Sequence, residues 1–289
     1  MEILANKPKK RFEISKLIGK IFVVALAVIM IYPLIWMFMS SFKESNTILP
    51  TAASLWPENW TWENYPVGWQ GISRNETFGT FFFNSFVIAS LSTIGTVLSS
   101  SLVAYSFSRG KFRGRKLLFA LTLGTMMLPA QVLMIPQFLW FNQLGWVNSY
   151  KPLIIPSYFA TQGFFVFLMT NFMNAIPREL DDAARIDGCS FYGIYGRVVL
   201  PLSVPVLITA TIFSFMWRWD DFVGPLLYLR NVSTYPASLA LRSFSDPASA
   251  TPFGPIFAMS ILSLIPLVLI FFLLQRYLVE GITTTGLKG

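Results

Sequence analysis

Six continuous apolar blocks, each cut off from the next by charge or turn residues, leave this chain few ways to fold. They run from Lys20 to Phe42, Phe78 to Ser108, Leu117 to Asn142, Leu153 to Ala175, Pro201 to Leu229 and Pro255 to Tyr277. A hydrocarbon core about 30 Å thick takes roughly 20 apolar residues per helix, and every block reaches that length. None alternates with a period of two, which argues against spanning strands. Of the 289 residues 54% are hydrophobic and 12% charged, more apolar surface than a globular core can hide. The predicted fold is an all-α membrane protein with six transmembrane helices.

Orientation follows from Lys and Arg, because positive flanks resist translocation. Lys7, Lys9, Lys10, Arg11, Lys16 and Lys20 precede the first block, and Arg109, Lys111, Arg113, Arg115 and Lys116 follow the second. Arg178, Arg185 and Arg197 follow the fourth, and Arg276 and Lys288 the sixth. Against these 16 stand five on the other side: Lys43, Arg74, Lys151, Arg230 and Arg242. Both termini are therefore expected in the cytoplasm. The same asymmetry accounts for the net charge of +8, so no nucleic-acid partner is called for. The first block lacks a small-residue cleavage site and reads as a retained anchor.

The predicted organisation is a basic arm over residues 1–19 that lies on anionic lipid, a six-span membrane body over 20–280, and a polar, Gly-rich tail over 281–289, too polar to extend the last span. The outer segment 43–77 carries Trp56, Trp60, Trp62 and Trp69, which suit either an interfacial belt or a docking surface. Prolines inside the blocks (Pro33, Pro129, Pro136, Pro225 and Pro266) predict kinks whose freed carbonyls need neighbouring helices or water. Metal chemistry, acid–base catalysis and disulfides find little material, with no His and Cys189 alone. The chain does not read as an enzyme.

Between the fourth and fifth blocks stands a different kind of sequence. Pro177 suits a helix start, and Glu179, Asp181 and Asp182 follow where the helix dipole favours anions. Gly188 supplies a left-handed stop, after which Phe191, Ile194, Tyr195 and Val198 recur as an apolar stripe. Pro201 and Pro205 then re-aim the chain into the membrane. Ala183 and Ala184 leave a smooth face flanked by carboxylates. The loop over 176–201 thus reads as two short helices meeting at an elbow.

The run Glu179-Leu-Asp-Asp182-Ala183-Ala184-Arg185-Ile-Asp-Gly188, with Leu200-Pro201 beyond it, resembles the EAA loop of ABC importer permeases. The fifth-block string from Trp217 to Tyr228 and the ending Gly286-Leu287-Lys288-Gly289 are similar to those of MalG-type permeases of the carbohydrate class. Asp182 stands where that motif usually has Glu. The resemblance implies that the loop docks on a cytoplasmic ATPase subunit, with Asp182 facing a basic residue there, and that the tail reaches the ATPase interface. It also implies a second homologous permease, two ATPase subunits that hold ATP and Mg, and an extracytoplasmic solute-binding protein. The outer loop Arg230–Gly254 is the expected contact for that protein. No GxxxxGK[ST] cradle occurs in this chain, so the resemblance assigns ATP hydrolysis to the partners and no cofactor here.

Charge inside a span marks function by default. Trp217, Arg218, Trp219, Asp220 and Asp221 in the fifth block, with Asn84 in the second, are the candidate substrate-binding residues. Indole faces suit sugar rings, and an arginine fork suits a carboxylate, which raises an acidic, uronate-containing oligosaccharide as one possible cargo. Arg218 and Asp221 lie i and i+3 on a helix, so a local ion pair is the competing reading. An ion-coupled carrier, or an importer permease for a non-sugar solute, are the rival functions.

Overall fold

The computed structural model describes residues 11–71, 76–244 and 253–286, which are predominantly helical. They form two compact units, one within Met1–Gly68 and Thr251–Ile261, the other within Trp69–Ala250 and Leu262–Gly289. Among the described residues four helices are long and apolar enough to cross a membrane, and counting two sharply bent pairs as spans brings the number to six.

In the first unit α1 (Arg11–Ser40) starts nine residues before the block read from the sequence, so only residues 1–10 of the predicted arm lie outside the described chain. Lys and Arg are good helix formers and need not end a helix. Between Lys16 and Ser40 its apolar window has no buried residue. Beyond it Lys43 is buried, and its ammonium donates to the carbonyls of Thr51 and Ser54 at 3.0 and 2.6 Å. Asn64 ties the same turn down by donating to the carbonyls of Ser41 and Lys43. Trp60, Trp62 and Tyr65 surround Phe42 with ring centroids 4.8 to 5.6 Å away. The outer tryptophans thus remain exposed while their neighbours make a small polar-pinned core.

The second unit is organised around α2 (Phe78–Arg109). The third block is broken in two, α3 (Arg115–Met126) and α4 (Ala130–Gln143), which meet at 100° just before the break at Pro129. The prolines behave unequally, since Pro33, Pro136 and Pro266 all sit inside unbroken helices. The fourth block becomes a short helical stretch over Lys151–Phe159 and then α5 (Gly163–Ala175), separated by Ala160 at φ +51°. The loop helices are α6 (Glu179–Ile186) and α7 (Phe191–Leu202), followed by α8 (Val204–Trp219) and α9 (Val223–Tyr228). The outer loop after Arg230 contains α10 (Ala237–Ser243), a helix its prolines had concealed; residues 245–252 lie outside the described chain. The last helix, α11 (Phe253–Gly286), runs on through 281–286, where the sequence predicted a non-helical tail, because each residue added to an existing helix gains a hydrogen bond.

Packing in this unit follows small residues. Ser92, Thr96, Ser100 and Ala104 are buried on one side of α2, which packs along α5 and α8. Small side chains allow close backbone approach and hydroxyl bridges between helices. Ser92 donates to the carbonyl of Leu153 at 3.0 Å and Ser99 to that of Ser157 at 2.9 Å. Nearer the loop, Tyr105, Phe165, Met169, Met173, Ala184, Ile194 and Val199 make one apolar cluster that joins α2, α5, α6 and α7.

Candidate functional site

The loop begins later than its proline. Arg178 caps α6, so Pro177 stands just outside the helix and Glu179, Asp181 and Asp182 occupy the first turn. The end is built as the sequence predicts: Gly188 sits at φ +80°, its N–H donates to Arg185 O, and Cys189 N–H reaches back to Ala184 O at 2.9 Å. That pair of bonds satisfies the last carbonyls of α6. Ser190 Oγ then accepts the N–H of Gly193 and opens α7.

Two adjacent carboxylates of α6 have opposite fates. Asp182 is exposed and meets Arg185 one turn along at 2.6 Å. Asp181 is buried, with Arg109 Nε 2.6 Å from its Oδ2, both side chains 3% or less exposed. The approach is a charge contact without hydrogen-bond alignment, and Asp181 Oδ1 has no partner. The guanidinium is held elsewhere, donating to the carbonyls of Met173 and Ile176 at 2.8 and 2.9 Å and to Ser108 Oγ. Arg109 therefore clamps the end of α5 and the start of α6 to the end of α2. In the sequence Arg109 stands out only as a topological charge; the signal for its second role is that Asp181 lies three residues before Ala184, on one helix face.

That face also corrects the reading of the alanines. Ala183 is exposed, but Ala184 is turned into the apolar cluster, so the outward surface of α6 holds Leu180, Ala183 and Ile186, the last 88% exposed, beside the charged Glu179, Asp182 and Arg185. In α7 the turn over Tyr195–Val199 is a π turn, which shifts the phase and buries Val199 beside the expected Ile194, Tyr195 and Val198, while Phe191 is exposed. Leu200 is half-buried and Pro201 exposed, and the chain bends by 75° at Ser203 between α7 and α8.

At the far end of α8 the ion pair offered as the competing reading, Arg218 with Asp221, does not form a contact. The helix stops at Trp219, and Asp221 Oδ1 instead accepts the N–H of Gly224 at 3.0 Å, at the start of α9. Arg218 Nη2 donates to Ser157 Oγ at 3.2 Å, while its buried Nε has no hydrogen-bond partner. Trp219 is buried against Phe215 and Phe82, with Nε1 donating to Ser263 O, so its face cannot receive a sugar. Asn84 is likewise occupied, donating to the carbonyls of Ser233 and Tyr235. Trp217 and Asp220 differ: with Met216, Leu264 and Leu267 they line an open recess of about 510 Å³. Trp217 is half exposed there and backed by Phe164, Phe165 and Phe213.

Residues 95–284 match the family model described as the binding-protein-dependent transport system inner membrane component. The chain belongs to that family. It is 34% identical over 287 residues to the probable ABC transporter permease protein YurM of Bacillus subtilis, covering 98% of this chain and 92% of that one. It is 35% identical over 270 residues to the trehalose/maltose transport system permease protein MalG of Thermococcus litoralis, covering 92% and 94%. A crystal structure of a bacterial ABC transporter involved in the import of the acidic polysaccharide alginate shares the fold, with a TM-score of 0.80 at 22% identity over 94% of this chain and 99% of that one. The matched family region contains the whole elbow and α8, and this inner membrane component has the helices its location requires. Of the tail residues, Gly286 ends α11, and Leu287, Lys288 and Gly289 lie outside the described chain.

Proposed function

We propose that this protein is the permease subunit of an ATP-driven importer and that the loop from Arg178 to Ser203 couples it to separate ATPase subunits. The observation that carries the reading is the outward face of α6, where Leu180, Ala183 and Ile186 leave apolar surface beside the Asp182–Arg185 pair. An exposed apolar strip with a charged flank suits a partner groove. Glu179, Asp182, Ala183, Arg185, Gly188, Leu200 and Pro201 keep their roles in that contact, and Ala184 supports it from within. ATP and Mg bind the ATPase partners; a second permease and an extracytoplasmic binding protein complete the assembly. Gly188→Pro and Asp182→Lys are expected to leave membrane insertion intact and to abolish ATP-dependent uptake. Normal uptake by both variants in proteoliposomes would remove the coupling role.

The cargo we infer is an oligosaccharide. The sugar named for the Thermococcus litoralis relative supports this class, and so does the recess, where an indole and a carboxylate are suited to a sugar's apolar face and its hydroxyls. Asp220 at the recess favours a neutral sugar. An acidic, uronate-containing cargo is the second reading and rests on Arg218, a cation next to Trp217 in the chain whose guanidinium donates to Ser157 Oγ. Uptake of neutral and uronate oligosaccharides by Arg218→Gln separates the two: selective loss of the uronate supports the acidic reading, and equal rates for both exclude it.

A further inference from the structure

The elbow is joined by sequence to α5 and α8, yet its tightest polar attachments are to neither. They are to the last turns of α2. Arg109 holds Asp181 of α6 and the carbonyls that end α5. Arg178 Nη2, at the cap of α6, donates to Ser108 O at 3.2 Å. On the other arm of the elbow, Tyr105 Oη donates to Phe191 O at 2.8 Å and Ser101 Oγ meets Tyr195 Oη at 2.8 Å. Tyr105 also packs its ring on Phe191 and Tyr195, with centroids 4.6 and 5.0 Å apart. Thus four residues at positions 101, 105, 108 and 109, all on one face of one helix, grip both halves of the loop.

We propose that α2 is the element that receives the loop's motion: α6 and α7 move as one rigid piece with the inner end of α2, and Arg109, Tyr105 and Ser101 are the positioning residues that make them do so. The proposal rests on the reading of the loop as the docking element for ATPase subunits. Its physical basis is redundancy. A single hinge bond could be traded for water as the loop swung, but Arg109 and Tyr105 attach at different points along α2, on both sides of the Gly188 turn, and part of this anchorage is dry. Rotation of the loop about α2 would have to expose Arg109 and Asp181 together, which is costly for a charged pair in an apolar surround. Translation of the two together leaves these bonds intact. The 32-residue α2 then carries the displacement towards its far end, where Asn84 and Ser85 hold the outer loop at Ser233, Tyr235 and Ala237.

The test uses the full complex with its ATPase subunits, purified from a Cys189→Ser background that carries spin labels at Gly196→Cys on α7 and Phe86→Cys on α2, two exposed sites. Distances are measured by pulsed electron resonance without nucleotide and with a non-hydrolysable ATP analogue. The expected result is a label-to-label distance that the analogue leaves unchanged, and that changes by roughly 2 Å or more, the scale of helix shifts at packed interfaces, once Tyr105→Phe, Ser101→Ala and Arg109→Lys together remove the hydroxyl bonds and the guanidinium fork. Arg109→Lys keeps a positive charge beside Asp181, and co-elution of the variant with its ATPase subunits as one complex reports that it folds; either half of the set alone is expected to give a smaller change in the same direction. A nucleotide-dependent change in the unmodified complex, or an unchanged distance in every variant, overturns the proposal. Co-purification of the ATPase subunits reports separately on the docking reading. If they fail to bind the unmodified chain, that reading falls and the proposal falls with it; if they bind and only the distances disagree, docking stands and the role of α2 does not.

Discussion

Arg109 with Asp181 at the root of the loop, and Arg218 with Asp221 at the end of α8, set the same two side chains in largely apolar surroundings, yet one pair meets and the other parts. Asp181 is brought to Arg109 by the inward face of a helix that begins at the right place, far along the chain from its partner. Asp221 is three residues from Arg218, but α8 ends between them and the carboxylate is used to start α9. Helical spacing predicts a contact only where the helix persists, and burial of both charges decides which contact is worth keeping.

This contrast can be broken by substitution. Removing one member of the buried pair, by Asp181→Ala or Arg109→Ala, leaves an uncompensated charge and is expected to cost about 3–5 kcal/mol, read as a large fall in the unfolding midpoint of the detergent-solubilised protein. A loss well under half of that would mean that water already reaches the site. Replacing both together with apolar residues of similar volume should recover most of the loss. Next comes Gly188→Ala: no atom lies within 4 Å of the added methyl, so only the left-handed backbone opposes it, at roughly 1–2 kcal/mol. A smaller effect is expected for Asp221→Ala, about 1 kcal/mol for a lost capping bond. A double-mutant cycle of Arg218→Gln with Asp221→Asn should then give a coupling of about 0.5 kcal/mol, the low end for neighbouring charges that attract without touching; about 2 kcal/mol or more would restore the direct ion pair that the geometry denies. Smallest of all is Asp182→Ala, about 0.3–0.5 kcal/mol for an exposed one-turn pair, so any strong effect of that change on ATP-dependent uptake cannot be blamed on stability.

Much of the architecture was legible in the residues, because continuous apolar blocks with charged ends allow little besides membrane-crossing helices. The break at Pro129 and the Gly188 stop were also readable, each from one residue with a fixed backbone preference. What escaped the reading depended on phase. The π turn over Tyr195–Val199 brings Val199 to full burial next to Val198, and nothing in local composition announces it. Which of Asp181 and Asp182 faces inward depends on a start at Glu179 instead of Pro177, a shift of two residues that decides a charged contact. The candidate substrate residues divided for a related reason: in the run from Trp217 to Asp221 the helix period turns Trp219 inward and leaves Trp217 and Asp220 at the recess. Asn84 looked available from sequence because its acceptors, the carbonyls of Ser233 and Tyr235, lie far away along the chain.

Since the window of α1 between Lys16 and Ser40 buries none of its residues, its lettering is nearly free while its extent is not. Exchanges among Leu, Ile, Val and Phe there should pass unnoticed by the remainder of the fold, whereas adding or removing a turn changes the match to bilayer thickness. Adaptation to a thicker or thinner host membrane would register first as a change in the length of this strut, long before the grip of α2 on the loop had to alter.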